Sequence, residues 1–159
     1  MSDYTMSWKG RFFVQNTTVS PALDSGNGQM KALQWISAIL SGLVVITALV
    51  IGEGFFGGRA TLIEDHGYLG NVIFVLAIVQ LGLALLQYQK KALGAKQMIL
   101  NMLLIVLLFG QIGLGYAGSR SGVANALVWH LPLGVLIMGV ATFNSALFWL
   151  RPSNEAISA

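Results

Sequence analysis

Followed for its hydrophobic and polar positions, the chain falls into four apolar runs, near residues 33–54, 67–88, 98–118 and 126–150, separated by short polar or glycine-rich segments. Each run is close to the roughly 20 residues that an α-helix needs to cross a hydrocarbon core about 30 Å thick. The pattern predicts one four-helix transmembrane domain over residues 31–151, with a segment 1–30 before it and a tail 152–159 after it. Lys90-Lys-Ala-Leu-Gly-Ala-Lys96, between the second and third runs, has the length of a tight turn, so those two helices are antiparallel neighbours. Within the first segment, residues 20–28 read as a loop, and residues 6–14 mix aromatics with cations as an interfacial stretch does.

The runs also repeat. Ile51-Gly-Glu-Gly-Phe-Phe-Gly-Gly-Arg59 returns as Ile112-Gly-Leu-Gly-Tyr-Ala-Gly-Ser-Arg120, with isoleucine, three glycines, an aromatic and arginine in the same register. A histidine follows each copy, His66 and His130, and each has a glycine four residues on, Gly70 and Gly134. This predicts a duplicated helical hairpin whose halves each end in a glycine-rich turn that delivers one histidine. The expected fold class is an all-α membrane protein, a four-helix bundle made of two such hairpins.

Composition agrees with a membrane class: 55% of residues are hydrophobic and 9% charged, with a mean hydropathy of +0.72. The absence of cysteine excludes disulfides, thiolate metal sites and cysteine nucleophiles. Residues 1–30 lack the apolar core of a secretory signal, so no cleavage is expected. Charge changes the picture through its placement. Lys9, Arg11, Lys31, Lys90, Lys91, Lys96 and Arg151 flank one side of the four runs, and Arg59 and Arg120 the other. That bias puts both termini and the middle loop in the cytoplasm of a multi-pass protein of the cell (plasma or inner) membrane. No basic patch interleaved with aromatics is present, so nucleic acid is not an expected partner.

The orientation places His66 and His130 in the outer half of the membrane on descending helices. An ionisable residue in a span is a functional candidate because stranding it in hydrocarbon costs a few kcal/mol, roughly, on insertion scales. The bland alternative is an imidazole capping a helix or hydrogen-bonded to a neighbour. As a symmetric pair, two imidazoles from opposite helices suit the two axial positions of a haem iron. Gly67, Gly70 and Gly134 would let a flat macrocycle approach the ligand helices, although close helix packing uses glycine in the same way. Arg59 and Arg120 stand where guanidinium groups reach haem propionates, or where interfacial anchors belong. Phe55, Phe56, Tyr68, Tyr116 and Trp129 would line the macrocycle or face lipid. Gln80, Gln111 and Asn144 read as hydrogen-bonding glue between helices. Two histidines alone make a poor zinc or copper site, because closed zinc sites take four ligands.

Residues 51–150 resemble one half of the haem A synthase family, whose members commonly have eight spans in two four-helix bundles. Each bundle carries a histidine on its second and fourth helices. His66 and His130 stand at the matching places, and Gln111-Ile-Gly-Leu-Gly115 followed by His130-Leu-Pro-Leu-Gly134 resembles the family's third-to-fourth helix segment. The resemblance implies that His66 and His130 are haem ligands. The sequence departs from the family's catalytic half before and after the first histidine. Ile63 stands where that half tends to have glutamate, and Gly67 where it has arginine.

Three functions follow, in order. The first is a b-type cytochrome-like membrane protein holding one bis-histidine haem b on His66 and His130. It would transfer electrons singly, to a quinone pool or within a larger respiratory or photosynthetic complex. The second is a half-size, haem A synthase-like oxygenase working as a homodimer. The third is a non-haem structural or pigment-binding subunit.

Overall fold

The computed structural model describes residues 21–150. The interfacial segment expected at 6–14, Arg151 and the tail 152–159 lie outside them. The described chain forms four helices, α1 (Pro21–Phe56), α2 (Ala60–Gln89), α3 (Ala95–Arg120) and α4 (Ala124–Trp149). Even 26 residues extend about 39 Å at 1.5 Å per residue, so all four are long and apolar enough to cross a membrane. Two boundaries differ from expectation. Helix α1 begins at Pro21 and not near residue 31, because proline is well suited to a first helical position, where its missing N–H is not needed. Helix α2 begins at Ala60, ahead of the apolar run expected from residue 67, so Glu64 and Asp65 are helical and His66 lies within the helix.

The helices run up and down in ring order. Each packs against two neighbours, α1 on α2 and α4, α3 on α2 and α4, so that α2 and α4 face each other across the diagonal. Inward positions recur at steps of four and three: Leu33, Ser37, Leu40, Val44 and Thr47 on α1, and Ile73, Ala77, Gln80, Ala84 and Gln87 on α2. That spacing keeps one seam facing the bundle axis and gives the left-handed packing of coiled coils and four-helix bundles.

The seams meet in layers. An apolar layer joins Leu40, Val44, Ile73, Ala77, Leu104, Leu108, Ile137 and Ala141. Below it lie buried amides, Gln80, Asn101 and Asn144, and below those a second apolar cluster of Leu33, Ala84, Leu93, Met98 and Phe148. The outer surface is also apolar, with Leu49, Phe109 and Leu131 among many exposed large hydrophobics. A continuous apolar exterior of this kind suits lipid and not water as the surrounding solvent.

The α2–α3 turn closes one end. Lys91 takes the left-handed conformation, φ 56°. The Lys91 N–H donates to the Tyr88 carbonyl at 2.9 Å and the Ala92 N–H to that of Gln87 at 2.9 Å. This is a Schellman ending with lysine in the place glycine usually takes. Leu93 then plugs the adjacent apolar cluster. At this lysine end Trp35 and Trp149 stack edge to face, centroids 5.5 Å apart, between α1 and α4.

Candidate functional site

The opposite end is built by two glycine turns. In the first, the Gly57 N–H donates to the Glu53 carbonyl at 2.8 Å, and the Arg59 N–H to that of Gly54 at 3.0 Å. A Cβ on Gly57 would sit 2.6 Å from the Glu53 oxygen, and Gly58 has φ +65°, so the turn depends on both glycines. In the second, Gly122 has φ +67° and the Val123 N–H donates to the Ala117 carbonyl at 3.2 Å. The first turn is short enough that α2 starts at once, which carries His66 into its second turn and inside the bundle. His130 lies at the same depth on α4, which continues as helix through Pro132.

Both histidines occupy seam positions. His66 is one heptad before buried Ile73, and His130 one heptad before buried Ile137. Although α2 and α4 are diagonal partners, the two rings meet near the axis, with centroids 6.0 Å apart and planes at 66°. The His66 Nδ1 is 3.1 Å from the Thr47 carbonyl oxygen on α1. The His130 Nδ1 is buried and without a hydrogen-bond partner, with the backbone of Gln111 on α3 nearby. Each ring thus turns Nδ1 towards the helix that precedes its own. A proton on Nδ1 of His66, donated to Thr47, leaves the lone pair on Nε2.

The glycines divide. A Cβ on Gly115 would lie 3.1 Å from the His130 Cε1, and one on Gly134 3.1 Å from the Gln111 Nε2. Gly118 is tighter still, at 2.7 Å from Leu127. By contrast, a Cβ on Gly67 or Gly70 would meet nothing within 4 Å. Arg59 and Arg120 are exposed at the histidine end, Arg120 lying over the Tyr116 ring at 4.8 Å. Tyr116 in turn accepts a hydrogen bond from the Asn71 Nδ2 at 3.3 Å. Phe55, Phe56, Tyr68, Tyr116 and Trp129 are all exposed.

Two contributors carried no signal that singled them out. Thr47 supplies a carbonyl to His66, and Asn101 joins Gln80 to Asn144. Each stands at a seam position, Thr47 one heptad after buried Leu40 and Asn101 three residues before buried Leu104, and that spacing is the clue that could have found them.

Two imidazole rings whose centroids lie 6.0 Å apart are near enough to share one metal atom. Metal–nitrogen bonds of about 2.0 Å on each side, plus about 1.1 Å from nitrogen to ring centre, add to roughly the same separation. Among the described residues no group of three or more His, Cys, Asp or Glu stands together. A metal here would therefore draw its remaining ligands from a macrocycle or another molecule. No protein-family model, curated protein or solved structure matches the chain.

Proposed function

We propose that this protein is an integral membrane haem-binding protein of the b-type cytochrome kind, with His66 and His130 as the axial ligands of one haem b. What carries the proposal is the 6.0 Å approach of two histidine rings from diagonally opposed helices at matching seam positions. A porphyrin supplies four nitrogens to its iron, so a pair of ligands with no third beside it among the described residues suits it in a way that it does not suit bare zinc or copper. The Thr47 carbonyl beside His66 Nδ1 is the kind of partner that fixes the tautomer and aim of a metal-binding histidine. Arg59 and Arg120, at the same end, are the cations available to the propionates. Bound haem would supply one-electron redox chemistry. The chain's own part is to hold the iron in a low-polarity layer and to present two neutral imidazoles to it.

The cation distribution favours both termini in the cytoplasm, which puts the histidine end at the outer face of the cell membrane. The paired glycine turns and paired histidines favour an origin by hairpin duplication, and a quinone or a larger redox complex is the fitting electron partner. The oxygenase alternative, a haem A synthase-like homodimer, is favoured by Glu64 and Asp65, which α2 carries within one turn of His66.

The test is an absorption spectrum of the detergent-purified protein, oxidised and dithionite-reduced. A sharp reduced alpha band at one haem per chain is expected, abolished by His66→Ala and by His130→Ala. Protein free of porphyrin after expression with ample haem, or carrying a magnesium pigment on extraction, overturns the proposal. Haem A or a hydroxylated haem in extracts, lost with Glu64→Gln, would select the oxygenase.

A further inference from the structure

Two heptads below the histidines, the same seams of α2 and α4 carry Gln80 and Asn144, 1% and 0% exposed. Both donate to one atom: the Gln80 Nε2 to the Asn101 Oδ1 at 2.7 Å, and the Asn144 Nδ2 to it at 3.3 Å. The Asn101 amide cannot be turned round, because its Nδ2 donates to the Gln97 carbonyl at 2.7 Å. Its Oδ1 must therefore be the acceptor, and both neighbours must offer it their nitrogens. Flipping either one would set oxygen against oxygen.

The consequence is that the Gln80 Oε1 and the Asn144 Oδ1 are buried with no hydrogen-bond partner. No reassignment of the three amides relieves them. Buried polar atoms in lipid-embedded structure need partners more than those in water-soluble folds, because no solvent is at hand. Two acceptors call for two donated hydrogens.

We propose that this layer is a binding site for one internal water molecule, bridging the Gln80 Oε1 and the Asn144 Oδ1. Water carries two donors on one small neutral molecule, and buried waters typically make about three hydrogen bonds. A cation has oxygens to bind here but no carboxylate to neutralise it, since the three side chains are all amides. An apolar occupant would leave both oxygens bare. The apolar layer of Leu104, Leu108, Ile137 and their neighbours separates this water from the histidine pair, so the site does not depend on whether a haem binds.

The test is a structure of the full-length protein in lipid nanodiscs at a resolution that shows waters. A density peak at about 2.5–3.0 Å from both oxygens is expected, absent from the Gln80→Leu/Asn144→Leu double variant. A protein donor reaching either oxygen, or no peak in an ordered layer, overturns the proposal. So does a peak with several ligands near 2.4 Å, about the distance of a bound cation. The wild-type map decides even if the double variant does not fold. Loss of haem binding without loss of the peak would sink the cytochrome proposal alone.

Discussion

Near the histidines, three glycines of α3 and α4 meet side chains across their hairpin, whereas Gly54 alone among the helical glycines of α1 and α2 there does so. His130 rests on Gly115, Leu127 on Gly118 and Gln111 on Gly134. On the other side Ile63 rests on Gly54, but Gly52, Gly67 and Gly70 face space. Similar turns with similar residues therefore serve two ends. A glycine opposite a bulky side chain brings helices together, and one opposite nothing leaves room. His130 rests against Gly115 of its own hairpin, while the His66 Nδ1 meets the Thr47 carbonyl.

The strongest way to break this comparison is to fill the space beneath His130. Gly115→Leu is expected to displace the ring and, with it, to abolish the haem binding proposed above, at an overpacking cost of about 1–3 kcal/mol. The control is Gly113→Leu, at an exposed position with nothing within 4 Å, which should keep both spectrum and stability. Equal loss in the two variants would show that Gly115 has no special part.

A smaller effect comes from alanine. Gly118→Ala must move Leu127 and should lower the melting temperature in detergent. Gly70→Ala enters open space and should raise it, since alanine is favoured over glycine inside a helix by about 1 kcal/mol. If both variants shift the same way, the two hairpins are packed alike and the contrast is wrong. Smallest is the difference between the turns. Gly58 and Gly122 have nearly the same positive φ, so Gly58→Ala and Gly122→Ala should each cost about 1–2 kcal/mol. Chemical denaturation should find the two equal, which would locate the asymmetry in helix packing alone.

Much of this was legible beforehand. Four apolar runs and short turns dictate an up-and-down bundle, and two histidines after matching glycine turns dictate their common depth. Which face of each helix turns inward was not legible. In a bundle clothed in apolar residues the lipid side and the core side look alike, so Leu40 inside and Leu49 outside give no periodic contrast. The jobs of the individual glycines were hidden for the same reason, since they depend on what lies opposite. The mid-helix amides do join helices at Gln80 and Asn144, which both reach Asn101. The Gln111 side-chain oxygen instead has no partner.

The short link that carries Lys91 and Leu93 joins the two hairpins at the end remote from the histidines. Helix α2 runs from that link to His66 over a lever arm of roughly 36 Å, at 1.5 Å per residue. A tilt of roughly 2° between hairpins would part the rings by about 1 Å, half of a metal–nitrogen bond. The grip on anything held there is therefore governed by angular rigidity at the far end, where Leu93 sits as a wedge in its apolar socket.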